Sequence, residues 1–182
     1  MTGTTPDPNS TAVNLSNSSA IITAGGAINV TALNGPTTTA GGVTGVAQFD
    51  ATSTTAIGNF APGQSPGQLI VNGDFNIGTG NTLEMEFNGF VTAGTDYDQL
   101  VVNGLVNISG ATLTLIDNIG TTEDSCDTLV LIDNDGTDPI VGTFNGLAEG
   151  DSVSFGGITA KITYIGGDGN DFAFVMDDTP PL

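Results

Sequence analysis

The chain has 182 residues, enough for one ordinary domain or two small ones. Its formal net charge of −19 comes from 16 Asp and 4 Glu against one Lys, in a chain only 12% charged where about 25% is usual. With no His, no Arg and a single Cys, it can build no His-dependent triad, no Cys–His pair, no His/Cys zinc site and no disulfide within one chain. Phosphate binding needs Lys and Arg, so the single Lys161 excludes a nucleic-acid partner. No apolar run approaches the roughly 18 residues of a membrane span, so membrane insertion is not expected.

Residues 1–60 form a low-charge segment rich in Thr, Asn and Gly, with Asp7 and Asp50 as its only charges. Met1 to Asn9 lack the basic and apolar regions of a secretory signal and read as mobile. Val13 with Leu15, Ile21-Ile22, and the alternating Ala27 to Leu33 predict two to four short, weakly packed strands able to pair with a partner chain. Asn-x-Ser/Thr triplets at Asn9, Asn14, Asn17, Asn29 and Asn107 fit chance in such a composition better than glycosylation.

Residues 61–182 read as a second unit, opened by the turn Ala61-Pro62-Gly63-Gln64-Ser65-Pro66-Gly67. A repeat then appears. Gln68-Leu69-Ile70-Val71-Asn72-Gly73 is echoed by Gln99-Leu100-Val101-Val102-Asn103-Gly104 at an offset of 31. Thr82-Leu83-Glu84-Met85 is echoed by Thr112-Leu113-Thr114-Leu115 at an offset of 30, and a divergent third unit starts at Asp127-Thr128-Leu129. A period of this size predicts a β-solenoid whose coils bury one another. The alternation puts Leu69, Val71, Phe75, Ile77, Leu83, Met85 and Phe87 on one face, with Leu100, Val102, Val106, Ile108, Leu113 and Leu115 as their echoes. Asn72-Gly73 and Asn103-Gly104 are then corners between two faces of a coil, not hairpin turns.

Three further strand candidates, Val153 to Phe155, Ile158 to Ile165 and Phe172 to Val175, are joined by Gly156-Gly157 and by Gly166-Gly167-Asp168-Gly169-Asn170. Connections this short predict antiparallel pairing, as a C-terminal cap on the last coil.

This ordered set of segments, from Ala61–Leu69 through Val71–Phe75, Thr82–Glu86, Gly94–Leu100 and Gly142–Leu147 to Ile162–Asp171, resembles the β-strand repeat region of autotransporter passengers and related bacterial surface proteins. It covers about two thirds of the chain. The resemblance implies an all-β, short right-handed parallel β-helix exposed outside the cell, usually a structural stalk and not an enzyme.

Two loops carry candidate metal ligands. Gly166 to Phe174 fits a calcium nonapeptide, with Asp168, Asn170 and Asp171 as oxygen donors, and Asp133-Asn134-Asp135-Gly136-Thr137-Asp138 offers Asp133 and Asp135. No cofactor is otherwise expected. Glu84 with Glu86, and Asp96 with Asp98, lie two apart and would each share a strand face, a spacing an inverting glycosidase uses. With no Arg and few aromatics, a solvated outer face fits them better. Lys161 is expected in a surface ion pair and Cys126 as a free thiol in a loop. The expectation is an extracellular or surface-displayed stalk, matrix or filament subunit, non-catalytic and homo-oligomeric. An adhesin or virion-fibre module gripping glycans is the alternative, and a polysaccharide-cleaving enzyme the third.

Overall fold

The computed structural model describes residues 13–14, 20–23, 33–41, 48–62, 66–119 and 128–176. In chain order the strands are β1 (Val13–Asn14), β2 (Ala20–Thr23), β3 (Leu33–Gly41), β4 (Gln48–Ile57), β5 (Asn59–Phe60), β6 (Gln68–Val71), β7 (Asp74–Ile77) and β8 (Thr82–Phe87). They continue with β9 (Gln99–Val102), β10 (Val106–Asn107), β11 (Thr112–Asp117), β12 (Thr128–Asn134), β13 (Ser152–Phe155), β14 (Ile158–Gly166) and β15 (Asp171–Met176). The protein is all-β. Among the described residues there is no helix, and so none long and apolar enough to cross a membrane.

Most pairings are parallel and run between windows about thirty residues apart. One ladder takes the start of β4, then β6, β9 and β12. Its register sets Gln68 on Gln99, Leu69 on Leu100 and Val71 on Val102. A second takes the rest of β4, then β7 and β10, with Phe75 on Val106, and a bridge from Asn107 to Val141 extends it. The third is β5, β8 and β11, with Thr82 on Thr112 and Met85 on Leu115.

The repeat read from the sequence is therefore the pairing register itself. Asn72-Gly73 separates β6 from β7, which belong to different ladders and do not pair with each other, so the pair is a corner. The next corner lies directly on it: Asn103 Nδ2 donates to Asn72 Oδ1 at 2.7 Å. A Cβ on Gly104 would come within 2.6 Å of the Gly73 carbonyl carbon, so only glycine lets the two backbones approach this closely.

Alternation decides the interior. Leu69, Val71, Phe75, Ile77, Leu83, Met85 and Phe87 are buried, as are Leu100, Val102, Val106 and Ile108. Each such side chain contributes roughly 1.5–3 kcal/mol by leaving water. Leu113 and Leu115 are only partly buried, against the expectation, because β11 ends its sheet and lacks a described strand on its outer flank.

Toward the C-terminus the pattern changes. β13, β14 and β15 form the antiparallel set that their glycine-rich connections predict. β15 also pairs antiparallel with β12. Lying between β12 and β14, β15 is covered on both sides, and Phe172, Ala173 and Phe174 are all fully buried. Phe155 bridges from Phe174 (5.2 Å between ring centroids) to Phe87 (4.6 Å), joining this sheet to the parallel ladders.

Three expectations on strands need correction or placement. The third unit pairs with the second only from Ile132, set on Leu100, because β9 begins at Gln99 and offers no strand residue to the start of β12, whose other edge lies on β15. The N-terminal half holds strands as long as β3 and β4, where short ones were expected; runs such as Thr52-Ser53-Thr54-Thr55 suit extended backbone despite their polarity. Ala27 to Leu33 lies outside the described residues except for Leu33, as does the segment Met1 to Asn9.

Two substitutions test the stacking. Leu100→Ala should cost about 2–5 kcal/mol in urea denaturation, whereas Leu105→Ala, at a side chain 51% exposed, should stay within about 0.5 kcal/mol. Gly104→Ala should lower stability by at least about 1–3 kcal/mol, the usual cost of forcing atoms into a packed site, with a matching fall in melting temperature.

Candidate functional site

Acidic side chains have almost no cationic partners here, and the structure shows what they bond instead. Asp98 is 1% exposed. Its Oδ1 accepts the Gly67 N–H at 2.6 Å and its Oδ2 accepts the Glu86 N–H at 2.8 Å, so one carboxylate ties the segment before β6 to β8. Burial pushes this carboxyl up to about 7, against the two N–H bonds that lower it, with Glu86 and Glu84 raising it further.

Asp96 does not share that position. Its Oδ2 accepts the Thr92 N–H inside a local turn, so Asp96 and Asp98 are not a pair on one strand face. Glu84 and Glu86 do lie on one side of β8, half-buried, and each accepts an amide: Asn59 Nδ2 at 2.9 Å and Asn118 Nδ2 at 2.8 Å. Lys161, expected in a surface ion pair, donates from Nζ to Ser152 Oγ at 2.7 Å. Cys126 lies outside the described residues.

The two loops with candidate metal ligands meet in space. β12 runs beside β15, which brings the turn after Asn134 against the turn before Asp171. The Asn134 N–H donates to Asp171 Oδ1 at 2.8 Å, and Asn134 Nδ2 donates to the Asp138 carbonyl at 2.7 Å. Asn170 Nδ2 donates to the Asp138 and Asp135 carbonyls at 3.1 and 3.5 Å. Asp171 Oδ2 also accepts the Asp168 N–H at 3.4 Å. The Asp171 carboxylate sits where a Cβ on Gly167 would be, so the left-handed Gly167 (φ 53°) admits no side chain.

Of the five expected donors, Asn170 and Asp171 are buried, Asp133 is half-buried on β12, and Asp135 and Asp168 are exposed. Burial, first, and the neighbouring charges of Asp168 and Asp135 raise the Asp133 carboxyl. Burial also raises Asp171, with its hydrogen bonds opposing and Asp133 and Asp168 adding to the rise. Sequence reasoning missed Asn134 and Asp138 as site residues. Asn134 takes the register position of Val102 and so points inward, which a one-residue change of alignment would have hidden. An oxygen-only set of this kind suits a hard cation.

No family model matches the chain, and neither does any curated protein or solved structure.

The buried Asp98 makes stability depend on pH. The native carboxyl keeps its proton to about pH 7, while the unfolded one loses it near 3.8, so the native state binds more protons in this window. The Asp98 contribution to stability is therefore complete below about pH 4 and is lost as pH rises through 7. Thermal melts at fixed ionic strength should show a falling melting temperature over that range, and Asp98→Asn should have a smaller slope than the wild type. Equal slopes would show that Asp98 does not titrate there.

Proposed function

We propose that this chain is a non-catalytic structural protein of the cell surface or exterior, a short β-solenoid serving as stalk, matrix or filament subunit. The observation that carries this reading is the in-register stacking of windows 31 residues apart, with Gln68 Nε2 donating to Gln99 Oε1 at 2.8 Å as part of a like-on-like column. The three ladders are the three faces of each coil, and β13–β15 act as a cap on the last one. The resemblance to the repeat region of autotransporter passengers supports the same reading, and adds the right-handed sense and the exterior location.

The two ends of such a stack differ. At one end β15 lies antiparallel on β12; at the other the described ladders finish on parallel strands β1 and β2, both paired with β3. An end built of parallel strands can accept strands from another copy, and head-to-tail joining that does not close gives a filament. The acidic surface opposes this joining until salt screens it.

Light scattering and negative-stain microscopy across a concentration series, at low and high salt, check the proposal. Rods that lengthen with concentration and salt are expected. A strict monomer throughout would overturn the filament role. Turnover of an acidic polysaccharide, abolished by Glu84→Gln, would overturn the non-catalytic reading.

A further inference from the structure

Asn134 and Asn170 are 1% and 5% exposed, yet neither amide oxygen has a hydrogen-bond partner. Asp138 Oδ2, from the same turn, is likewise buried and unpartnered. The two amides cannot be turned round to relieve this. Each Nδ2 already donates to main-chain carbonyls of the Asp135–Asp138 turn, and exchanging N and O would set oxygen against oxygen. Three buried acceptors without a donor thus sit on residues that the Asp138 carbonyl ties together, a costly arrangement unless something positive or protic fills it. The carboxylates of Asp133 and Asp168 stand close enough to act on Asp171 electrostatically. No side-chain cation is on hand: Lys161 is the only one in the chain, and it bonds Ser152.

We propose that this junction is a calcium site, with Asn134 Oδ1, Asn170 Oδ1 and Asp138 Oδ2 as ligands and the neighbouring aspartates as its balancing charge. Among the described residues no three acidic, cysteine or histidine side chains gather tightly enough to hold a metal by themselves, so the amide oxygens are essential. That mixture favours calcium. Ca²⁺ accepts six to eight oxygens of mixed type in loose geometry, whereas Mg²⁺ demands a tight octahedron and keeps its water. A site with so much neutral character belongs to the weak class, roughly 10⁻⁴–10⁻³ M, that extracellular modules use. Bound there, the ion would pin the turn after β12 to the turn before β15, where the parallel ladder passes into the antiparallel set. The site depends on these two turns and not on the structural role proposed above.

Thermal melts of the full chain in chelator, then in CaCl₂, MgCl₂ or NaCl at matched ionic strength, test this. Calcium at tenfold excess over its dissociation constant should raise the melting temperature by roughly 3–6 °C beyond the NaCl control, with saturation. Asp138→Asn, which keeps the shape and removes the charge, should lose most of that rise, and Asp151→Asn, on a distant turn, should keep it. A calcium effect no larger than that of NaCl or MgCl₂, or one undiminished by Asp138→Asn, would overturn the site. Should Asp138→Asn not fold, calorimetric titration of the wild type with CaCl₂ decides: saturable one-site heat supports the site, and its absence refutes it.

Discussion

Leu69 on Leu100 and Val71 on Val102 form the contact on which the remaining architecture depends. Parallel strands 31 residues apart must pair in this register, because a slip of one residue would turn both apolar columns outward. Outer-side contacts hold the same register. Gln68 bonds Gln99, Asn72 bonds Asn103, and Asp74 Oδ1 accepts the Leu105 N–H at 3.0 Å. Inside and outside therefore specify one alignment, which is how a sheet of short strands avoids alternatives.

A chain with one cation cannot neutralise its carboxylates by ion pairing, and it uses them on the main chain instead. Asp117 Oδ2 accepts the Gly156 N–H, Asp151 Oδ2 that of Ala148, and Glu149 Oε2 that of Tyr164, each at 2.7 Å. Asp98 does the same twice from a buried position. Turns and loops between strands leave N–H groups unpaired, and a carboxylate close by satisfies them with a charge-assisted bond. Acidity thus serves the fold locally.

β12 is where two modes of pairing meet. Its first half lies antiparallel on β15 and its last three residues lie parallel on β9. The change places Asn134 in a column otherwise held by Val71 and Val102, and brings a polar amide into the interior. That amide, Asn170 and Asp171 knit the two turns together, and the same crowding leaves oxygens without donors.

The sequence by itself determined the β class, the corners at Asn72-Gly73 and Asn103-Gly104, the inward residues from Leu69 to Phe87, and the antiparallel C-terminal strands. These rest on alternation, turn chemistry and an internal repeat, all of which are local or compare the chain with itself. Only the tertiary structure decided that Asp98 is buried, that Leu113 and Leu115 stay half-covered, and that the third unit pairs from Ile132. It alone brought the Asp133–Asp138 turn against Asn170 and Asp171. Sequence reading had named both loops as oxygen-rich but had no means of joining them, because residues 32 to 37 apart meet only through the β12–β15 pairing.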